Sequence, residues 1–204
     1  MKLKGLLILL LISFIIFIIY RFNIDNKIYY INITDSDITY NKEIKNYLNK
    51  NKKLEKYINY KDLNYRITDL INEINDNKEI RINGKKFTLQ NSLIKADLLT
   101  VKIGSNEIKY KIKDKDLTGL YNYIDEYLND LDKLFKLLRK YDKETIIYIN
   151  TVNNQNEYID EIIEYLNLKV EELCNDYKIE YMELNNRNDI KIKEKVLKYL
   201  QLTI

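Results

Sequence analysis

The chain has 204 residues, with 34 lysine or arginine side chains, 31 aspartate or glutamate side chains and no histidine. Cys174 is the only cysteine, which excludes a disulfide within the chain and a cysteine-built metal site; without histidine, no metal or other cofactor is expected. Setting aside Lys2, Lys4 and Arg21 leaves 31 basic against 31 acidic side chains, so charge gives no case for a nucleic-acid partner.

The first element is apolar. Residues 5–20 carry no charge, with Lys2 and Lys4 before them and Arg21 after. As a helix they cover about 24 Å, against ~30 Å for a bilayer core. Leu3 and Phe22 extend the stretch, and Lys4 and Arg21 can snorkel to the headgroups. A cleaved signal peptide is the alternative, but it needs a small-residue cleavage site, and the first alanine is Ala96. Residues 1–23 are therefore read as an uncleaved signal-anchor helix. The positive charge ahead of it leaves the N-terminus cytoplasmic and residues 24–204 outside the cell membrane. That remainder suits one domain with its own core.

Residues 27–34 read as a first strand, 40–50 as a helix and 54–60 as a short strand. A helix begins near Arg66, with Ile67, Leu70, Ile71 and Ile74 at helical spacing. Asn83-Gly84 between alternating apolar residues signals a small inserted β-hairpin, either a lid or an edge decoration. Residues 96–103 are nearly all apolar, as in a strand buried on both faces. A long helical stripe runs from Leu120 to Leu138, a strand covers 145–150, and a second stripe runs from Tyr158 to Leu173. A last strand spans 177–184 and a last helix 191–201. This alternation predicts five mainly parallel strands between two helical layers, with the site at the carboxyl ends of the strands. Ser36, Asn106 and Asn150 fall at predicted strand ends.

The motifs at those ends resemble the SGNH or GDSL hydrolases, in particular the membrane-anchored GDSL-type lipase/acylhydrolase proteins. The likeness covers most of residues 27–200. The family's first block, Gly-Asp-Ser-Leu, is matched by Thr34-Asp35-Ser36-Asp37, which puts Ser36 in the nucleophile position. The second block falls on residues 63–70, where Asn64 stands for the glycine whose N–H faces the oxyanion. The third block, Gly-x-Asn-Asp, is matched by Gly104-Ser105-Asn106-Glu107, with Asn106 as the oxyanion donor. The last block, Asp-x-x-His, falls on Asn188-Asp189-Ile190-Lys191: Lys191 replaces the histidine, and the acid is lost at Asn188 or shifted to Asp189.

The resemblance implies a three-layer, flavodoxin-like α/β/α domain. The missing base implies impaired catalysis, because a solvated lysine is protonated and cannot accept the serine proton. A Ser36–Lys191 dyad would need a buried lysine, whereas Lys193 and Lys195 suggest a wet, cationic helix start. Two alternatives stay open: an active esterase on lipid or cell-envelope esters using Ser36 and Asn106, and a non-catalytic binding or structural module of the envelope. Taken singly, Asp35-Ser36-Asp37 also reads as a helix cap, Gly104-Ser105-Asn106 as a turn, and Cys174 as a small buried residue.

Overall fold

The computed structural model describes residues 10–17, 27–36, 40–62, 66–82, 84–104, 107, 119–142, 144–150, 157–183, 194, 196 and 198. In chain order the elements are β1 (Ile28–Thr34), α1 (Tyr40–Lys50), β2 (Leu54–Lys61), α2 (Ile67–Asn75), β3 (Glu79–Ile82), β4 (Lys85–Thr88), α3 (Leu89–Ile94), β5 (Leu98–Lys102), α4 (Leu120–Tyr141), β6 (Thr145–Asn150), α5 (Glu157–Asp176) and β7 (Glu180–Glu183). Residues 10–17 are also helical, and Glu194, Val196 and Lys198 are helical where the last helix was expected.

Five strands form one sheet in the order β2-β1-β5-β6-β7, and every pairing is parallel. The pleat divides β1 between two cores. Tyr29, Ile31 and Ile33 pack with Leu70 and Ile74 of α2, Leu131 and Phe135 of α4, and Leu166 and Val170 of α5. Ile28 and Tyr30 face the other way, onto Tyr40, Ile44 and Leu48 of α1 and onto Val196. Burial on both faces explains why β1 and β5 read as nearly unbroken apolar runs. Cys174 is free and buried in the larger core, as its apolar neighbours predict.

The hairpin is present: β3 and β4 pair antiparallel, with Ile82 opposite Lys85 and Gly84 at φ +76°. It forms its own two-stranded sheet, apart from the main one. The last strand is shorter than expected. Tyr177 and Lys178 form the turn that closes α5, leaving Glu180–Glu183 to pair with β6.

The N-terminal helix shows only in part. Leu10, Phe14 and Phe17 are exposed. No helix among the described residues is long and apolar enough to cross a membrane, and the rest of residues 5–20 lies outside them.

Candidate active site

The chain leaves β1 for β2 on one side of the sheet and later returns to β5 on the other. The carboxyl ends of β1 and β5 therefore flank the point where strand order reverses, the usual place for a site in an open α/β sheet. Ser36 lies two residues past β1, and Gly104 two residues past β5.

Register decides what meets Ser36. Thr34 is paired with Lys102 across β1 and β5, and the pairing continues as the Asp35 N–H donates to the Lys102 carbonyl at 3.0 Å. Alternation puts Thr34 and Lys102 on the α1 side of the sheet, and Ser36 follows in the bend just after β1. The Lys102 side chain accordingly runs along the strand end, and its Nζ is hydrogen-bonded to Ser36 Oγ. The same Nζ lies 3.8 Å from Asp35 Oδ1. Lys102 is only 5% exposed and Asp35 only 1%. Moving a lone charge out of water into such a place is costly unless it is paired, so the two residues depend on each other.

The loop after β5 holds this pair in place. The Gly104 N–H donates to Asp35 Oδ2 at 3.0 Å, and Gly104 has φ +93°. Behind it, Tyr127 and Tyr148 share a hydroxyl–hydroxyl bond at 3.0 Å, and Tyr148 donates to the Ile103 carbonyl at 2.8 Å. Burial pushes both phenols up, so they act as neutral hydrogen-bonding groups. On the other flank, Thr34 Oγ1 accepts the Ser36 N–H at 3.2 Å and donates to the Ser36 carbonyl at 3.0 Å. Ser36 itself remains half-buried.

The second and third blocks also meet. Arg66, at the head of α2, puts Nε 3.3 Å from Glu107 Oε1, and the Ile67 N–H bonds the same carboxylate. Burial pushes the Glu107 carboxyl up, while the bonds from Arg66 and Ile67 oppose the rise. The first three blocks are thus tied together through Asp35–Gly104 and Arg66–Glu107. Asn64 and Asn106, the expected oxyanion donors, lie outside the described residues, as do Asp37, Asp189 and Lys191. Asn150 is at a strand end, where its Nδ2 donates to Asn167 Oδ1 at 2.7 Å and to Tyr181 Oη at 3.1 Å.

Lys102 is the residue that sequence reasoning passed over. Its signal was present: one lysine in the run 98–103, whose other residues are apolar except Thr100. A charge in a strand buried on both faces has to be paired or used. Among the described residues, no group of histidine, cysteine, aspartate or glutamate side chains could hold a metal ion.

No protein-family model matches the sequence, and no curated protein does. Solved structures do share its fold. The acetylxylan esterase Axe2 from Geobacillus stearothermophilus superposes with a TM-score of 0.56 at 14% identity, covering 83% of this chain and 79% of that one. A lipase from a goat rumen metagenome superposes with a TM-score of 0.60 at 13% identity, covering 74% of this chain and 78% of that one. At these identities the likeness is one of fold alone, and the fold is the α/β architecture around a parallel five-stranded sheet that the sequence implied.

Proposed function

We propose that this chain, which has the fold of SGNH-type esterases, hydrolyses carboxylic esters with Ser36 as nucleophile. The observation that carries the reading is the contact of Ser36 Oγ with the buried Lys102 Nζ at the sheet's switch point. A serine that merely capped a helix would not need a buried nitrogen held against its hydroxyl. The esterase and lipase named above have substrates of this class, which supports ester chemistry in general.

The domain would work next to a lipid surface. Residues 1–23 carry the apolar stretch and its basic flanks, and residues 24–204 would lie on the outer side. Lipid or cell-envelope esters within reach of that surface are the proposed substrates.

A second reading, a non-catalytic or catalytically impaired domain of the envelope, is favoured by one fact: the chain has no histidine to serve as the usual base. The assay that separates the two is hydrolysis of a short-chain aryl ester by the full-length protein in detergent, against Ser36→Ala. The esterase reading predicts turnover that falls by at least about 100-fold in the variant. Turnover that is absent, or equal in both proteins, favours the non-catalytic domain.

A further inference from the structure

We propose that Lys102 is the proton acceptor for Ser36, taking the part for which the chain has no histidine. The proposal rests on the Ser36 reading above and adds to it the identity of the base.

Geometry comes first. A base must lie within hydrogen-bond reach of the proton that it removes. Lys102 Nζ is bonded to Ser36 Oγ in the folded chain. The parallel register sets Thr34 opposite Lys102, and Ser36 follows two residues later in the bend after β1, held there by Thr34 Oγ1.

Two opposing influences act on Lys102. At 5% exposure, burial favours the neutral amine, which has a lone pair for the serine proton. Asp35, 3.8 Å away, favours the ammonium. That opposition suits a group that must be neutral before the attack and charged after it. Asp35 is a positioning residue here. Its Oδ2 is fixed by the Gly104 N–H, so its charge stays aimed at the nitrogen where positive charge develops.

The steps balance. As Ser36 Oγ bonds to the ester carbonyl carbon, its proton passes to the neutral Lys102 amine, and the carbonyl oxygen takes the negative charge. When the tetrahedral species collapses, the bond from carbon to the leaving alkoxide breaks, and the Lys102 ammonium returns the proton to that oxygen. The amine then removes a proton from a water that attacks the acyl-serine. On the second collapse that proton returns to Ser36 Oγ, releasing a carboxylic acid.

Paired variants of the full-length protein test the assignment. Lys102→Arg keeps a cation opposite Asp35, but a guanidinium cannot be deprotonated in a protein. Lys102→Met keeps the length of the side chain without the nitrogen. A base at Lys102 predicts that both lower kcat by about 10²–10⁴-fold. It also predicts that methylamine restores part of the rate to Lys102→Ala, whereas tetramethylammonium does not. Circular dichroism identifies the variants that keep the fold, and only those are compared. A folded Lys102→Arg at the wild-type rate would assign Lys102 a structural charge and overturn the proposal. So would a folded Lys102→Ala that no amine rescues. If Ser36→Ala is inactive while Lys102→Met is fully active, the base assignment alone fails and Ser36 stands. If Ser36→Ala keeps the wild-type rate, the ester-hydrolase reading fails with it.

Discussion

Gly104 shows how tightly single residues are specified around Ser36. Its φ of +93° belongs to a region that side-chain-bearing residues rarely adopt. A Cβ added there would lie 2.7 Å from both Cε2 and Oη of Tyr127. That ring is buried and bonded to Tyr148, so it has little room to retreat. Gly104→Ala should therefore cost on the order of 2–4 kcal/mol, from backbone strain and overpacking together. Urea unfolding measures it, and a loss below about 1 kcal/mol would contradict this account of the loop. At this scale the sequence was partly legible. Ser36 and Gly104 stood out as residues just past apolar runs, and the structure ties their neighbourhoods together through Asp35. Lys102 did not stand out, because its partner depends on which residues of β1 and β5 lie side by side. One step of register would have turned it to the other face of the sheet.

Elements were more legible than contacts. Apolar periodicity located the five strands of the sheet, the hairpin and the long helices, because burial on one stripe or on both faces leaves a direct trace in residue order. The short helix α3 left no such trace: six residues directly after β4 are too few to show a helical period. Helix ends were hidden for a different reason. The chain has four glycines, and the helices close without them. After α1, α2 and α5 the left-handed position is taken by Lys52, Asn77 and Lys178, at φ 57°, 53° and 55°. In each case the next N–H reaches back into the helix: Lys53 to the Leu48 carbonyl at 2.8 Å, Lys78 to Glu73 at 2.9 Å, and Ile179 to Cys174 at 2.8 Å. Arg139 adds a bond to the Tyr177 carbonyl at 2.8 Å. A lysine in this conformation bears a steric cost that glycine avoids, partly offset by glycine's greater freedom when unfolded. Lys178→Gly should then raise unfolding stability by about 0.5–1 kcal/mol. A thermal melt that drops instead would show that the lysine side chain contributes packing that outweighs its strained backbone.

On the scale of the whole molecule, topology sets where a site would lie. Strand order β2-β1-β5-β6-β7 makes the β1/β5 boundary the place where crossovers diverge, and that boundary exists whatever residues occupy it. Alternating strands and helices made the three layers legible, but not the side-chain contacts at that boundary. The proposed anchor belongs to this scale as well. A reporter active only in the cytoplasm, fused after Ile204, should stay silent in cells, and an active reporter would reverse the proposed orientation. The central claim is that Ser36 is a nucleophile, and covalent capture tests it most directly. The full-length protein in detergent is treated with an alkyl fluorophosphonate, and the modified residue is located by peptide mass spectrometry. The account predicts one adduct, on Ser36, that is lost in Ser36→Ala; no adduct at Ser36, or equal labelling of the variant, would contradict it.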